Sequence, residues 1–229
     1  MGALLAKENI WYVGTQDPNL RVFDIIMHSD WGTSYNAYLV KGSEKTALFE
    51  TSKLEFFDEF LANVREVCDP ASIDYIVVDH TEPDHSGSLE KLLALAPNAT
   101  VLGSATALNF LKQIVNHEFA CRAVTEKDTV DLGGMTLHFL SVPFLHWPDS
   151  MYTYIPEAKA LFTCDSFGCH YADSRVFNDL IEGDFTPAYK YYFDCIIGPF
   201  KRPYMVNALE KIKGLDIEFV GNGHGPVLR

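Results

Sequence analysis

The sequence predicts a mixed α/β protein whose strand clusters frame interspersed helices, an order that suits two sheets packed face to face with helices outside. Three observations predict it. Short runs rich in aromatic and β-branched residues fill the first part of the chain, separated by Gly, Asp and Ser. Apolar residues then recur at helical spacing, at Leu54, Phe57, Leu61 and Val64. Helices and strands are interspersed after that, and a last helix and strand follow a final pair of strand-like runs. Periodicity alone leaves a single mixed sheet open as the alternative.

Taken in order, residues 9–14, 21–27, 34–42 and 45–51 read as strands joined by hairpins. Residues 52–67 read as a helix, 72–80 as a buried strand from their β-branched run, and 86–96 as a helix that Ser86 or Ser88 can cap. A second unit has a strand at 99–104, a helix at 105–116 and strands at 119–124, 128–132 and 135–143, with Gly133 and Gly134 as a turn. Residues 151–156 and 159–165 form a hairpin, 204–214 a helix and 216–223 the last strand. No repeat, low-complexity stretch or linker rich in Gly, Ser or Pro interrupts the chain, so residues 1–229 read as one domain.

With 229 residues the chain can bury a sizeable core. Its 48% hydrophobic and 21% charged residues are ordinary for a soluble protein. A formal net charge of −13 repels phosphate backbones and anionic lipid, which argues against nucleic acid and membrane partners. No apolar run has the length of a membrane span, and the N-terminal residues lack a basic leader, so a cytoplasmic location is expected. The cysteines, Cys68, Cys121, Cys164, Cys169 and Cys195, are odd in number and form no C-x-x-C, which argues against a disulfide framework. They are expected to be reduced and mostly packing residues.

Polar residues suited to metal binding stand where apolar strands end. His80 ends a strand, and Glu82, Asp84 and His85 occupy the following loop, which Pro83 stiffens. His146 follows the strand at 135–143, Asp165 ends "ALFTCD", and His224 lies in "GNGHGP" with glycine on both sides. A fold that gathers these ends builds a site of four histidines and three carboxylates. Taken alone, His224 reads as readily as a turn residue. The H-x-E-x-D-H run is harder to explain that way, because a solvated loop would tolerate simpler residues. His117 and His138 lack such company and read as surface or core residues.

The segments "HTEPDHSGS", "HWPDSMYTY", "FTCDSFGCHYA" and "GHGPVLR", together with "GTSYNAYLV" at 32–40, resemble the metallo-β-lactamase-like domain of the flavodiiron proteins, in order and over nearly the whole chain. The resemblance implies a four-layer αβ/βα sandwich of two mixed sheets, with a non-haem diiron centre at one edge. It places His80, Glu82 and His146 on one iron, and Asp84, His85 and His224 on the other. Asp165 would bridge them together with an oxo or hydroxo oxygen. His28 and His170 resemble family positions near the pocket for a diatomic ligand, and Tyr192 is a further candidate; a hydrogen-bonded structural role is the alternative for each. The chain departs from the family at Cys169, where Gln is frequent, and at "GNGHG", where "PSHG" is frequent.

Glu82 stands where hydrolytic members of the wider superfamily have a histidine. One metal position then has two histidines and a carboxylate, the set associated with non-haem Fe(II) and open positions for oxygen. Zinc would leave only hydrolysis, although metal supply also decides loading. Full flavodiiron proteins continue into a flavodoxin-like domain that binds FMN, and nothing in this chain resembles a flavin-phosphate loop, so FMN is not expected in it. A diferrous pair gives two electrons, whereas O2 taken to water needs four and two NO taken to N2O need two. Without a flavin, oxygen chemistry is expected to pause after two electrons unless more arrive from outside.

The leading expectation is therefore an oxygen-binding or oxygen-sensing diiron protein with a signalling partner, as described for single-domain relatives in bacterial chemotaxis. The second is an O2 or NO reductase fed by a separate flavoprotein or rubredoxin. The third is a zinc hydrolase of thioesters or phosphodiesters. A homodimer is compatible with the resemblance, because family members pair head to tail and bring one chain's flavin near the other's diiron site.

Overall fold

The structure, a computed structural model, describes residues 2–229. It opens with strands β1 (Leu4–Lys7), β2 (Ile10–Tyr12), β3 (Thr15–Asp17), β4 (Val22–Phe23), β5 (Met27–His28), β6 (Thr33–Tyr35), β7 (Tyr38–Lys41) and β8 (Thr46–Phe49). Helix α1 (Phe57–Val67), β9 (Tyr75–Val77), helices α2 (Pro83–Ser86) and α3 (Leu89–Leu93), β10 (Thr100–Gly103) and helix α4 (Ala105–Ile114) follow. Next come β11 (Cys121–Ala123), β12 (Thr129–Asp131), β13 (Thr136–Ser141), β14 (Met151–Ile155) and β15 (Ala160–Cys164). Helices α5 (Thr186–Tyr192) and α6 (Val206–Ile212) and strand β16 (Phe219–Asn222) complete the chain.

Seven strands form one sheet in the order β1-β2-β7-β8-β9-β10-β11, and five form another in the order β12-β13-β14-β15-β16. Both are mixed: β8, β9, β10 and β11 pair in parallel, as do β15 and β16, and the remaining pairs in these sheets are antiparallel. The alternation of side chains along a strand explains why two faces are apolar. Tyr38, Val40, Ala47 and Phe49 point into the core between the sheets, where they meet Phe139, Ile155, Phe162 and Phe219. Phe49 stacks on Phe162 with ring centroids 4.0 Å apart. Leu39, Leu48 and Ile76 point the other way, under Phe60, Val64, Leu92 and Leu111 of the helices. Tyr152 and Leu161 are covered in turn by Tyr192, Met205 and Ala208. The result is the four-layer αβ/βα sandwich, and the single-sheet alternative falls away.

Several elements differ from the sequence expectations. Residues 21–27 are not one strand: Asp24 and Ile25 adopt left-handed φ values of 46° and 71°, which folds the segment into the tight β4–β5 hairpin. The strand expected over 34–42 breaks between β6 and β7, where the Asn36 amide leaves the ladder and donates to the Gly223 carbonyl at 2.9 Å. Glu82, Asp84 and His85 do not share an open loop, because Pro83–Ser86 close one helical turn. The Ser88 hydroxyl does not cap α3; it meets the Ser52 hydroxyl at 3.1 Å instead. Strand β1, helix α5 and the wide helical turn at Phe193–Ile197 were not expected; beyond it the backbone leaves helical geometry at Arg202, with φ −125° and ψ 129°, and kinks ahead of α6. Cys195 is exposed rather than a packing residue. Among the described residues, no helix is long and apolar enough to cross a membrane.

The Phe49–Phe162 stack should dominate the cohesion of the two sheets. Truncating Phe162 to Ala is expected to cost about 3–5 kcal/mol of unfolding free energy, measured by denaturant titration. A double-mutant cycle with Phe49→Ala should return a coupling of about 0.5–1.5 kcal/mol.

Candidate metal centre

The carboxyl ends of β9, β13, β15 and β16 all lie at one edge of the sandwich, and the polar residues that follow them converge there. His80 lies beyond β9, His146 beyond β13, Asp165 directly after β15 and His224 beyond β16. Pro83 presets the first turn of α2, which carries Asp84 and His85 inward. The Ser86 hydroxyl closes that turn by donating to the Thr81 carbonyl at 2.8 Å, and Thr51 anchors it by donating to the His85 carbonyl at 2.6 Å.

The seven residues fall into two groups joined by Asp165. Around Glu82 Oε2 lie His80 Nε2 at 3.1 Å and His146 Nε2 at 3.0 Å. Asp165 Oδ2 faces the same group, 3.2 Å from His146 Nε2 and 3.6 Å from His80 Nε2. Asp165 Oδ1 faces the second group, 3.0 Å from His85 Nε2 and 3.5 Å from His224 Nε2. Asp84 completes that group, with Oδ2 3.1 Å from His224 Nε2. Within each group the ligand atoms lie no more than 4.8 Å from one another.

These atoms are held ready for a cation. Asp84 Oδ1 and His85 Nδ1 are buried without a hydrogen-bond partner, and the contacts of Asp84 Oδ2 with His224 and of His85 Nε2 with Asp165 lack hydrogen-bond geometry. Such orphaned groups are costly in a protein interior, and positive charge between them would satisfy them. Burial acts to lower the pKa of His146 and His224, but the carboxylates beside them prevail and push both up to about 9. Burial opposes ionisation of Asp165, but His85, His146 and His224 hold it well below the usual carboxylate range.

Other residues orient the set. His224 Nδ1 donates to the Ser34 carbonyl at 2.6 Å, which leaves Nε2 for the pocket. Its loop hangs on Asn222, whose side chain donates to the carbonyls of Phe167 and His224, both at 2.9 Å, and of Pro226 at 3.0 Å. Asn36 donates to the Gly225 carbonyl at 3.0 Å, and the Gly225 amide donates to the Ser34 hydroxyl at 2.7 Å. Gly225 needs its left-handed φ of +74°, and a Cβ there would strike the Cys169 carbonyl. The segment "GTSYN" is thus a clamp on the His224 loop. Behind the second group, Glu50, His85 and Cys164 form a further buried cluster. Glu50 accepts from the Asp79 amide at 2.7 Å, and burial, then mutual charge, pushes the Glu50 carboxyl well up.

The three candidates for the diatomic pocket separate. His170 is buried with its ring 5.0 Å from that of His224, Nδ1 2.9 Å from the Thr33 hydroxyl and Nε2 without a hydrogen-bond partner. Burial drives its pKa well down, aided by the charge of His224. Tyr192 is buried with its ring 4.9 Å from His170. His28 is not brought to the pocket. It pairs with Val22 across the hairpin, so both face solvent, while Phe23 and Met27 face inward. Phe23 packs on His170 at 4.1 Å. Sequence reasoning missed Asp24, whose carboxyl meets that of Glu82; burial, then this contact, pushes its pKa up to about 6. It also missed Asp149. Neither carries a signal of its own, since each is a single acid in a segment read for other features.

A sandwich of this layering, with histidines and carboxylates gathered at one edge, defines a metallo-β-lactamase-like metal-binding domain. The match to known proteins agrees. Residues 33–225 fit the family described as ODP family beta lactamase. The chain belongs to that family, and its relatives are flavodiiron proteins. It is similar to the flavo-diiron protein FprA2 of Clostridium acetobutylicum, at 47% identity over all of this chain and 58% of that protein. It is similar to the type A flavoprotein fprA of Rhodobacter capsulatus at 42% identity, over all of this chain and 53% of the other. The chain thus spans little more than half the length of these curated relatives. The flavodiiron protein of Giardia intestinalis superposes with a TM-score of 0.94 at 34% identity, covering 100% of this chain and 56% of its own. The rubredoxin oxygen:oxidoreductase of Desulfovibrio gigas superposes with a TM-score of 0.93 at 33% identity, covering 99% and 57%.

Because the carboxylates around His80, His146 and His224 push all three pKa values up and a metal ligand must be neutral imidazole, metal uptake near neutral pH should release protons. Calorimetric titration with zinc at pH 7.5, in two buffers of different ionisation enthalpy, is expected to show on the order of three protons released per pair of ions. Apparent affinity should fall as the pH is lowered, because protons then compete better for the same nitrogens.

Proposed function

We propose that His80, Glu82 and His146 hold one iron of a non-haem diiron centre, that Asp84, His85 and His224 hold the other, and that Asp165 bridges them with an oxo or hydroxo oxygen. The centre binds and activates O2 or NO. The observation that supports this most is the division of the Asp165 carboxylate, one oxygen toward each group of ligands. Iron, when bound, supplies reversible electron transfer and open positions for a diatomic ligand. The chain supplies the rest. It fixes the ligand atoms in advance, sets the ring of His170, backed by Tyr192, against His224, and lines the cavity at Glu82 and Asp84 with Phe23, Asp24 and Tyr35.

Within this reading, reduction of O2 or NO with electrons from outside is favoured by the relatives, one of which is described as a rubredoxin oxygen:oxidoreductase. A flavoprotein or a rubredoxin is the donor class this implies, in a cytoplasmic setting. The oxygen-binding or oxygen-sensing reading rests on the electron count and on the resemblance to single-domain relatives. Anaerobic reduction of the iron-loaded protein, followed by a measured addition of O2 with absorbance and oxygen consumption recorded together, separates the two. Steady consumption with a reduced flavoprotein or rubredoxin supports the reductase; a stable coloured form with little turnover supports the sensor.

Protein isolated from its native cell is expected to carry about two irons per chain, the capacity of one two-metal site; little iron, or zinc in its place, overturns the diiron reading. Glu82→His restores the nitrogen-rich pattern that suits zinc. It is expected to raise the zinc-to-iron ratio at least severalfold when both metals are offered together, as read by elemental analysis.

A further inference from the structure

The two halves of the pocket are backed by different chemistry. His224 Nδ1 donates to a neutral carbonyl, that of Ser34. His85 turns toward Glu50 and Cys164 but makes no hydrogen bond with either, and Glu50 accepts from the Asp79 amide instead. His80 differs in what its Nδ1 faces: the Asp149 carboxylate stands with Oδ2 3.4 Å away, a close charged contact that falls short of hydrogen-bond geometry. Asp149 is fully buried. Its Oδ2 accepts from the Thr81 amide and the Thr81 hydroxyl, both at 2.8 Å, and its Oδ1 has no hydrogen-bond partner.

The two Thr81 bonds do not explain why this residue is an acid. An asparagine carbonyl would accept both equally well. The feature that calls for charge is the imidazole of His80, whose Nε2 points at Glu82 and Asp165. A carboxylate behind a ligating histidine fixes its tautomer and raises its basicity, and loss of such a partner weakens metal binding about 10–100-fold.

We propose that Asp149 is a positioning residue for His80, and that it makes the His80–Glu82–His146 position the tighter of the two ion sites. The inference rests on the two-ion reading above and deepens it.

The test is stepwise loading of the metal-free protein with Co2+, followed by visible absorbance and by competition with a chelator. The wild type is expected to take up two ions in two steps. In Asp149→Asn one of the two should weaken about 10–100-fold while the other is unchanged. Asp149→Glu should recover most of the loss. Thr81→Val removes one hydrogen bond to Asp149 but leaves its charge, and should stay near wild type. Equal curves for wild type and Asp149→Asn overturn the proposal, as does a Thr81→Val loss matching that of Asp149→Asn, which would mean bracing alone. A second measurement needs no substitution: imidazole 15N–1H spectra of the zinc-loaded wild type should show the His80 Nδ1 proton downfield of that of His224, and the reverse order overturns the proposal. Two cobalt ions in a protein isolated without iron would overturn the diiron reading and leave the asymmetry standing. Fewer than two would overturn both.

Discussion

Asp165, buried between two sets of imidazoles, is the interaction on which the site depends. Its carboxylate has left water and is compensated chiefly by the histidines around it, with the Cys164 thiol donating to Oδ1 at 3.9 Å. Taking an ion out of water costs several kcal/mol unless charge and hydrogen bonds replace the solvent. Every ligand position must therefore be right at once, because a histidine turned away would leave this charge uncompensated. That demand explains the amount of structure behind the ligands. Asn222 alone ties three carbonyls of its neighbourhood together, and Tyr38 of the large sheet, with Ser34 of β6 and Asn36 before it, pins the same loop.

The backbone carries part of the cost. Non-glycine residues with left-handed φ collect near the strand ends that feed the pocket. Cys164, at φ 47°, ends β15 and precedes Asp165, and Phe144, at 66°, lies two residues before His146. Glu50, at 59°, follows β8, and Asp24 and Ile25 form the turn that sets a carboxyl against Glu82. Residues held in this region cost of order 1–3 kcal/mol each and persist only where the surroundings over-determine them. The packed sheets, with the Phe49–Phe162 stack between them, are the rigid body against which these turns are held.

Legibility in the sequence follows the range of the interactions. The layering was readable as one of two arrangements because strand alternation and helical spacing are local patterns, though they cannot say which sheet a strand joins. The ligands were readable because H-x-E-x-D-H packs four of them into six positions, and the rest stand just beyond strands. The hairpin at Val22–His28 was not readable, because its β-branched run favours a strand while its turn uses Asp and Ile in a conformation those residues seldom adopt. That one turn reversed the expected roles, moving His28 outward, bringing Phe23 inward and setting the Asp24 carboxyl against Glu82. The helical turn at Phe193–Ile197 was hidden by Gly198 and Pro199, which break regular helices.

The same distinction separates the ligands from the residues that tune them. A ligand is recognisable by type, since few other reasons put histidine and acid at the end of an apolar strand. A tuning residue is recognisable only by what it faces. Asp149 and Glu50 are both buried acids that accept from a backbone amide beside ligand histidines, yet Asp149 also has a histidine ring nitrogen 3.4 Å from its carboxylate. Asp24 and Glu82 are two carboxyls in contact, which favours a shared proton or a cation between them. A pocket that sets acids against one another and against histidines in this way is least stable with nothing bound. Ligands that bind the folded form alone then raise its stability by mass action, and two cations in this pocket would join retention of metal to retention of the fold.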